Sequence, residues 1–97
     1  MKTFITTIQF TQKGMAAIQD TCQRAEALKA TAKKAGCKVT DVYWTLGPFD
    51  GVLIFEAPDA ETACALMLRV ASQGNVQTQT ARAFTAAEME KILATAK

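Results

Sequence analysis

The chain has 97 residues, 49% hydrophobic and 21% charged, with two prolines and a net charge of +2. These are the proportions of one ordinary globular domain, residues 1–97, and the charge falls far short of a dedicated nucleic-acid binder. There is no histidine and Ser72 is the only serine, so histidine acid/base catalysis, Ser-His hydrolysis and His-ligated zinc have no residues to build them.

Phe4, Thr6, Ile8 and Phe10 alternate with Thr3, Ile5, Thr7 and Gln9, which predicts a strand over Thr3–Phe10 with one face more apolar. Met1-Lys2-Thr3 leads straight into it, and no run of about 18 apolar residues exists, so a soluble, cytoplasmic protein with no membrane partner is expected. Thr11 can cap a short helix carrying Met15 and Ile18, which Gly14 weakens by about 1 kcal/mol relative to alanine. A break is expected near Asp20 and Thr21. There Asp20-x-x-Gln23 resembles a capping box, and Ala25, Leu28, Ala32 and Ala35 recur at helical spacing up to a stop at Gly36. This stripe is narrow and rich in alanine, so the helix can lie close against a sheet. From Arg24 to Lys38, Glu26 alone faces Arg24, Lys29, Lys33, Lys34 and Lys38. With no aromatic residues interleaved for base stacking, this reads as a solvated helix face, and no nucleic-acid partner is expected.

A second strand is predicted over Cys37–Leu46, with Val42, Trp44 and Leu46 on one face and Asp41, Tyr43 and Thr45 on the other. After Gly47-Pro48, a third strand over Phe49–Ala57 contains the continuous apolar run Val52-Leu53-Ile54-Phe55 of a central strand. The two form a hairpin. Asp59, with Glu61 in the first turn, opens a helix whose inward face is Ala63, Leu66, Met67 and Val70, and Gly74-Asn75 ends it. Val76–Phe84 alternates as a fourth strand. Thr85-Ala86-Ala87-Glu88 is a capping box ahead of a last helix with Met89, Ile92, Leu93 and Ala96 on one side.

The order β-α-β-β-α-β-α predicts an α+β fold, the ferredoxin-like βαββαβ arrangement with an added C-terminal helix. Its helices cover one sheet face. The other carries Ile5, Tyr43 and, depending on register, Val52 and Ile54 among threonines and glutamines, a mixture suited to packing against the same face of a second copy. A homo-oligomer, at least a dimer, with a semi-polar seam between sheets is therefore expected. Cys22, Cys37 and Cys64 contain no C-x-x-C pair, which argues for three free thiols and against a metal site. Of the three, only Cys37, between Gly36 and Lys38, has any hint of a reactive setting.

The stretches Asp41-Val42-Tyr43-Trp44-Thr45-Leu46-Gly47-Pro48-Phe49-Asp50, Phe55-Glu56-Ala57-Pro58-Asp59, Gly74-Asn75-Val76 and Arg82-Ala83-Phe84-Thr85 resemble the GYD domain family of small bacterial proteins, over about Phe4 to Leu93. The resemblance implies a dimeric α/β-barrel type of ferredoxin-like fold and leaves the biochemical role open. One position departs from the family motif. Where the family usually has tyrosine just before the aspartate, this chain has Phe49, so phenol chemistry is lost there and an aromatic wall or packing role remains.

Four residues are candidates for a ligand site: Tyr43, Phe49, Asp50 and Arg82. Asp50 precedes an apolar run that would desolvate it and make it an acid or base; alternatively it caps the Gly47-Pro48-Phe49 turn. Tyr43 points to the semi-polar face and Trp44 to the core. Arg82, in a strand of small and polar residues, needs a carboxylate, from its own chain or a subunit partner, or an anionic ligand, and a structural salt bridge is the expected role. Two functions are carried forward, both without cofactor or metal. The first is a non-catalytic homo-oligomer binding a small ligand between sheets. The second is a cofactor-independent isomerase or monooxygenase-like enzyme acting on a small aromatic or enolisable compound, with Asp50 as base. The missing histidine favours the first.

Overall fold

In the computed structural model, which describes Met1–Lys97, the elements are β1 (Lys2–Phe10), α1 (Gln12–Ala16), a 3₁₀ turn (Ile18–Asp20), α2 (Thr21–Lys34), β2 (Lys38–Trp44), β3 (Gly51–Ala57), α3 (Ala60–Ser72), β4 (Val76–Ala83) and α4 (Ala86–Thr95). The strands form one antiparallel sheet in the order β2-β3-β1-β4, the ferredoxin-like arrangement expected from the chain order. Alternation along β1 and β3 sends Phe4 and Thr6, with Leu53, Phe55 and Ala57, to the helix-covered side, where all five are buried. Ala63, Leu66 and Met67 of α3 and Ala32 of α2 complete this core, in which the Phe4 and Phe55 rings stack 5.4 Å apart. Thr6, the one fully buried polar side chain here, shares a 2.7 Å hydrogen bond with Thr80 and contacts the Met67 sulfur at 3.5 Å. Its hydroxyl is therefore satisfied and inexpensive to bury.

Three helix starts follow the sequence. The Thr11 hydroxyl accepts from the Gly14 amide, Asp59 accepts from Thr62, and Thr85 with Glu88 forms both halves of a capping box. Asp20 does not cap. It closes the 3₁₀ turn with φ −92° and ψ 4°, outside the extended conformation that lets an N-cap side chain reach back to the first free amides.

The hairpin is also shorter in its strands than the alternation predicts, because β2 stops at Trp44 and β3 starts at Gly51. The intervening loop has its own bonds: Thr45 amide to Asp50 carbonyl at 2.9 Å, Thr45 hydroxyl to Phe49 carbonyl at 2.7 Å, and Gly47 at φ +107°. These turn Leu46, expected on the face of Val42 and Trp44, fully out into solvent. β4 likewise ends one residue early, at Ala83. A bulge at Thr40, whose hydroxyl donates to the Ile54 carbonyl, sets Val39 opposite buried Phe55 while Asp41 stands opposite Ile54 on the other face.

Candidate functional site

Two surfaces of the sheet stand out. The uncovered face is assembled by register: Ile5 lies opposite Ile54 and Ala81, Thr7 opposite Val52 and Gln79, and Tyr43 opposite Val52. No helix covers these residues, and Ile5 and Tyr43 are 38% and 58% exposed. Charge is confined to the β2 side of this face, where Lys38 stands opposite Glu56 and the Tyr43 hydroxyl donates to Asp41 at 3.4 Å.

The second surface is a cleft of about 110 Å³ on the helix-covered side, between α2, the β2-β3 end of the sheet and the turn after α3. Its floor is Gly51, whose place in β3 supplies no side chain, and its walls include Ile8, Leu28, Val42 and Leu53. Trp44 stands at the rim, 47% exposed, its indole N–H donating to the Thr21 hydroxyl at 3.0 Å. Trp44 is therefore half out of the core in which the sequence reading put it. Its indole nitrogen, which burial in hydrocarbon would strand, finds a partner only at the N-terminus of α2. Arg24 of α2 also lines the cleft and donates to the carbonyls of Ala17 at 2.8 Å and Gly14 at 3.3 Å.

The four candidate residues do not converge. Tyr43 belongs to the uncovered face and also borders the cleft. Phe49 is half-buried in the hairpin loop, where its carbonyl accepts from Thr45. The Asp50 carboxylate accepts from the Phe10 amide at 2.8 Å, while the Asp50 amide donates to the Ile8 carbonyl at 2.8 Å. Asp50 thus ties the loop to the end of β1 and makes no bond to the amides of the Gly47-Pro48-Phe49 turn. Arg82 lies opposite Phe4, six residues along β1 from the Asp50 contact, which is about 20 Å at strand rise.

Arg82 has partners of its own. Its guanidinium bonds the Thr3 and Ala83 carbonyls, donates to Glu88 at 2.9 Å, and lies over the Phe84 ring at 4.5 Å from the centroid. Hydrogen bonds from Arg82 and from the Thr85 amide hold the Glu88 carboxyl at about 2, well under its ordinary 4.5. This clamp joins the end of β4 to the first turn of α4, a helix none of whose residues is buried and which shows Met89, Ile92 and Leu93 to solvent. Asp59 is lowered by its hydrogen bond from Thr62, whereas burial and then the Asp59 charge push the Cys37 thiol up. Cys37 is therefore held as a neutral thiol by its surroundings. All three cysteines are free, and no group of acidic or cysteine side chains is placed to hold a metal ion.

Sequence reasoning missed Gly51, Arg24 and Trp44 as a group. Arg24 was absorbed into the basic run of α2, and Trp44 into the apolar face of β2. The available signal was helical spacing: Thr21, Arg24, Ala25 and Leu28 fall on one side of α2, the side that faces Trp44.

The GYD domain family model matches residues 4–93 of this chain. The chain is 33% identical over 90 residues to a Thermus thermophilus protein named "Glutamine synthetase and cystathionine beta-lyase binding protein", covering 92% of this chain and 95% of that one. Among solved structures it resembles TTHA0845 from Thermus thermophilus, with a TM-score of 0.58 and 25% identity over 89% of this chain and 96% of that one. It also resembles MtbAldR, with a TM-score of 0.67 and 15% identity over 87% of this chain. This chain spans about half of MtbAldR, 53% of its length, and at that identity the likeness is one of fold. No helix is long and apolar enough to cross a membrane.

Proposed function

Because the chain belongs to the GYD domain family, we propose that it is a non-catalytic binding module that works as a homo-oligomer, two copies closing the uncovered faces of their sheets on each other. The uncovered face carries this reading. Ile5, Val52 and Ile54 form an apolar centre, and threonines and glutamines surround it. Such a face is self-complementary about a two-fold axis, since the apolar strip meets itself and the few charges stay toward one edge. Tyr43 and Asp41 then border a semi-polar seam in which a small ligand can be held. The name of the Thermus relative, a binding protein for two enzymes, supports binding over catalysis and favours a protein as a further partner of the assembled module. The isomerase or monooxygenase reading has no comparable support, because the Asp50 carboxylate already accepts the Phe10 amide.

Light scattering coupled to size exclusion at micromolar concentration tests the pairing. The 10.4 kDa chain should elute at twice that mass or more. Ile54→Lys and Ile5→Lys, each placing a charge in the centre of the face, should shift it to the monomer with the far-UV circular dichroism retained. A monomeric wild-type protein, or lysine variants of unchanged mass, overturns the proposal.

A further inference from the structure

We infer that the cleft between α2 and the sheet is a binding site for a small, flat, apolar molecule carrying one carboxylate. Three observations meet there. The space is real and mainly apolar: about 110 Å³ with 11 hydrophobic residues among its 17 lining residues, of the order of the cavities that admit a benzene ring. The chemistry at its edge is cationic. Arg24 is the only charged side chain among the lining residues, and it has no carboxylate partner, since the ion pairs of the chain are Lys29–Glu26 and Arg82–Glu88. Two of its donors go to the Ala17 and Gly14 carbonyls, which fix the guanidinium in place and leave the remaining N–H groups for an anion.

The third observation is the placement of Trp44. Thr21 and Arg24 are neighbours on one side of α2, and Thr21 accepts the indole N–H, so ring and guanidinium flank the same mouth. A flat apolar body can pack against the indole and over Gly51 while its carboxylate meets Arg24. The competing negative ends at that mouth are already occupied. The Gln73 carbonyl, at the end of α3, accepts from Lys13 at 2.8 Å, and the Asn75 carbonyl accepts from the Thr11 amide at 3.1 Å. The site lies on the helix-covered side of the sheet and is independent of whether two copies pair through the other side.

Trp44 is the only tryptophan, so its emission and its indole ¹H–¹⁵N signal report on the cleft directly. Benzoate should shift both saturably, with a Kd on the order of 1 mM for so small a probe. Benzamide, the same shape without the charge, should bind at least about tenfold more weakly, the weight of one charge-assisted contact. Arg24→Gln should lose a similar factor for benzoate and none for benzamide, and Arg24→Lys should retain part of it. Ala25→Leu, which fills the cleft from α2, should abolish both responses. Thr31→Leu repeats that test from the far end of the cleft if the first variant does not fold. No saturable response of the wild-type protein, equal affinity for benzoate and benzamide, or unimpaired binding by the folded filled variant overturns the assignment.

Discussion

Replacing Gly14 with alanine sets two effects of opposite sign against each other. In an exposed helix the change stabilises by about 1 kcal/mol. Gly14, however, is buried where α1 crosses the turn after α3, and a Cβ there would overlap the Asn75 carbonyl oxygen and lie 2.9 Å from its carbon. The clash is with backbone, so relief requires α1 to move away from residues 73–75. That movement stretches the bonds from the Thr11 amide to Asn75 (3.1 Å), the Thr11 hydroxyl to Gly74 (2.5 Å) and Lys13 to Gln73 (2.8 Å). Overpacking of this kind costs about 1–3 kcal/mol, and each weakened bond contributes up to about 1 kcal/mol more. After the helix gain is subtracted, a net loss of about 2 kcal/mol remains, which lowers Tm by roughly 8–16 °C in a domain of this size. Thermal unfolding followed by circular dichroism at one fixed protein concentration measures it. Gly36→Ala is the comparison: no atom lies within 4 Å of its added Cβ, and only its φ of +80° carries a penalty, about 1 kcal/mol. A Gly14→Ala protein as stable as wild type, or less affected than Gly36→Ala, would refute the close-approach argument.

Three further outcomes are expected. Because the folded-state pKa of Glu88, about 2, lies below its ordinary 4.5, its contribution is complete above about 4.5 and is lost as pH falls toward 2; Tm measured against pH should drop across that window, and less steeply in Glu88→Gln. Native thiol titration should find Cys22 and Cys64 fast, buried Cys37 slow, and three equal thiols after denaturation; an intrachain disulfide would contradict it. Asp50→Ala, which strands the Phe10 amide, should cost about 1–3 kcal/mol in chemical denaturation while Asp50→Asn, which keeps an acceptor, costs less, and equal losses would show that the contact is unimportant.

The order of elements was legible because each boundary carries local chemistry. Thr11, Asp59 and Thr85 cap as their residue types suggest, and Gly36, Gly47 and Gly74 all take positive φ. Period two also separated Phe4 from Ile5 and put Tyr43 on the uncovered face, whereas the side taken by Val52 and Ile54 depended on register. What was not legible depends on tertiary contact. Gly14 reads as a weak helix residue until Asn75 is seen beside it, sixty-one positions away in sequence. Asp50 reads as a turn cap, yet its partner is the Phe10 amide, brought alongside only by the pairing of β1 with β3. Arg82 reads as a structural cation ahead of a ligand group, but its partner is not legible, because it rests on where α4 brings Glu88.

The cleft follows from the same narrow stripe that made α2 recognisable. Alanines let a helix approach a sheet closely, and at the Ala32 end they do: Ala32 is fully buried near Val39 and Phe55. At the other end Ala25 faces the part of β3 that begins with Gly51, so a small residue on the helix meets no side chain on the strand. A side chain at position 51 could not fill that gap without pressing on the Tyr43 carbonyl, which is 3.0 Å from where a Gly51 Cβ would stand. The nearby large residues cannot fill it either. Trp44 must keep its N–H on Thr21, and Arg24 must keep its guanidinium on the carbonyls of Gly14 in α1 and of Ala17 just after it. Each is held at the rim by its polar end, and the space between them stays open because the two backbones behind it carry the smallest side chains in their elements.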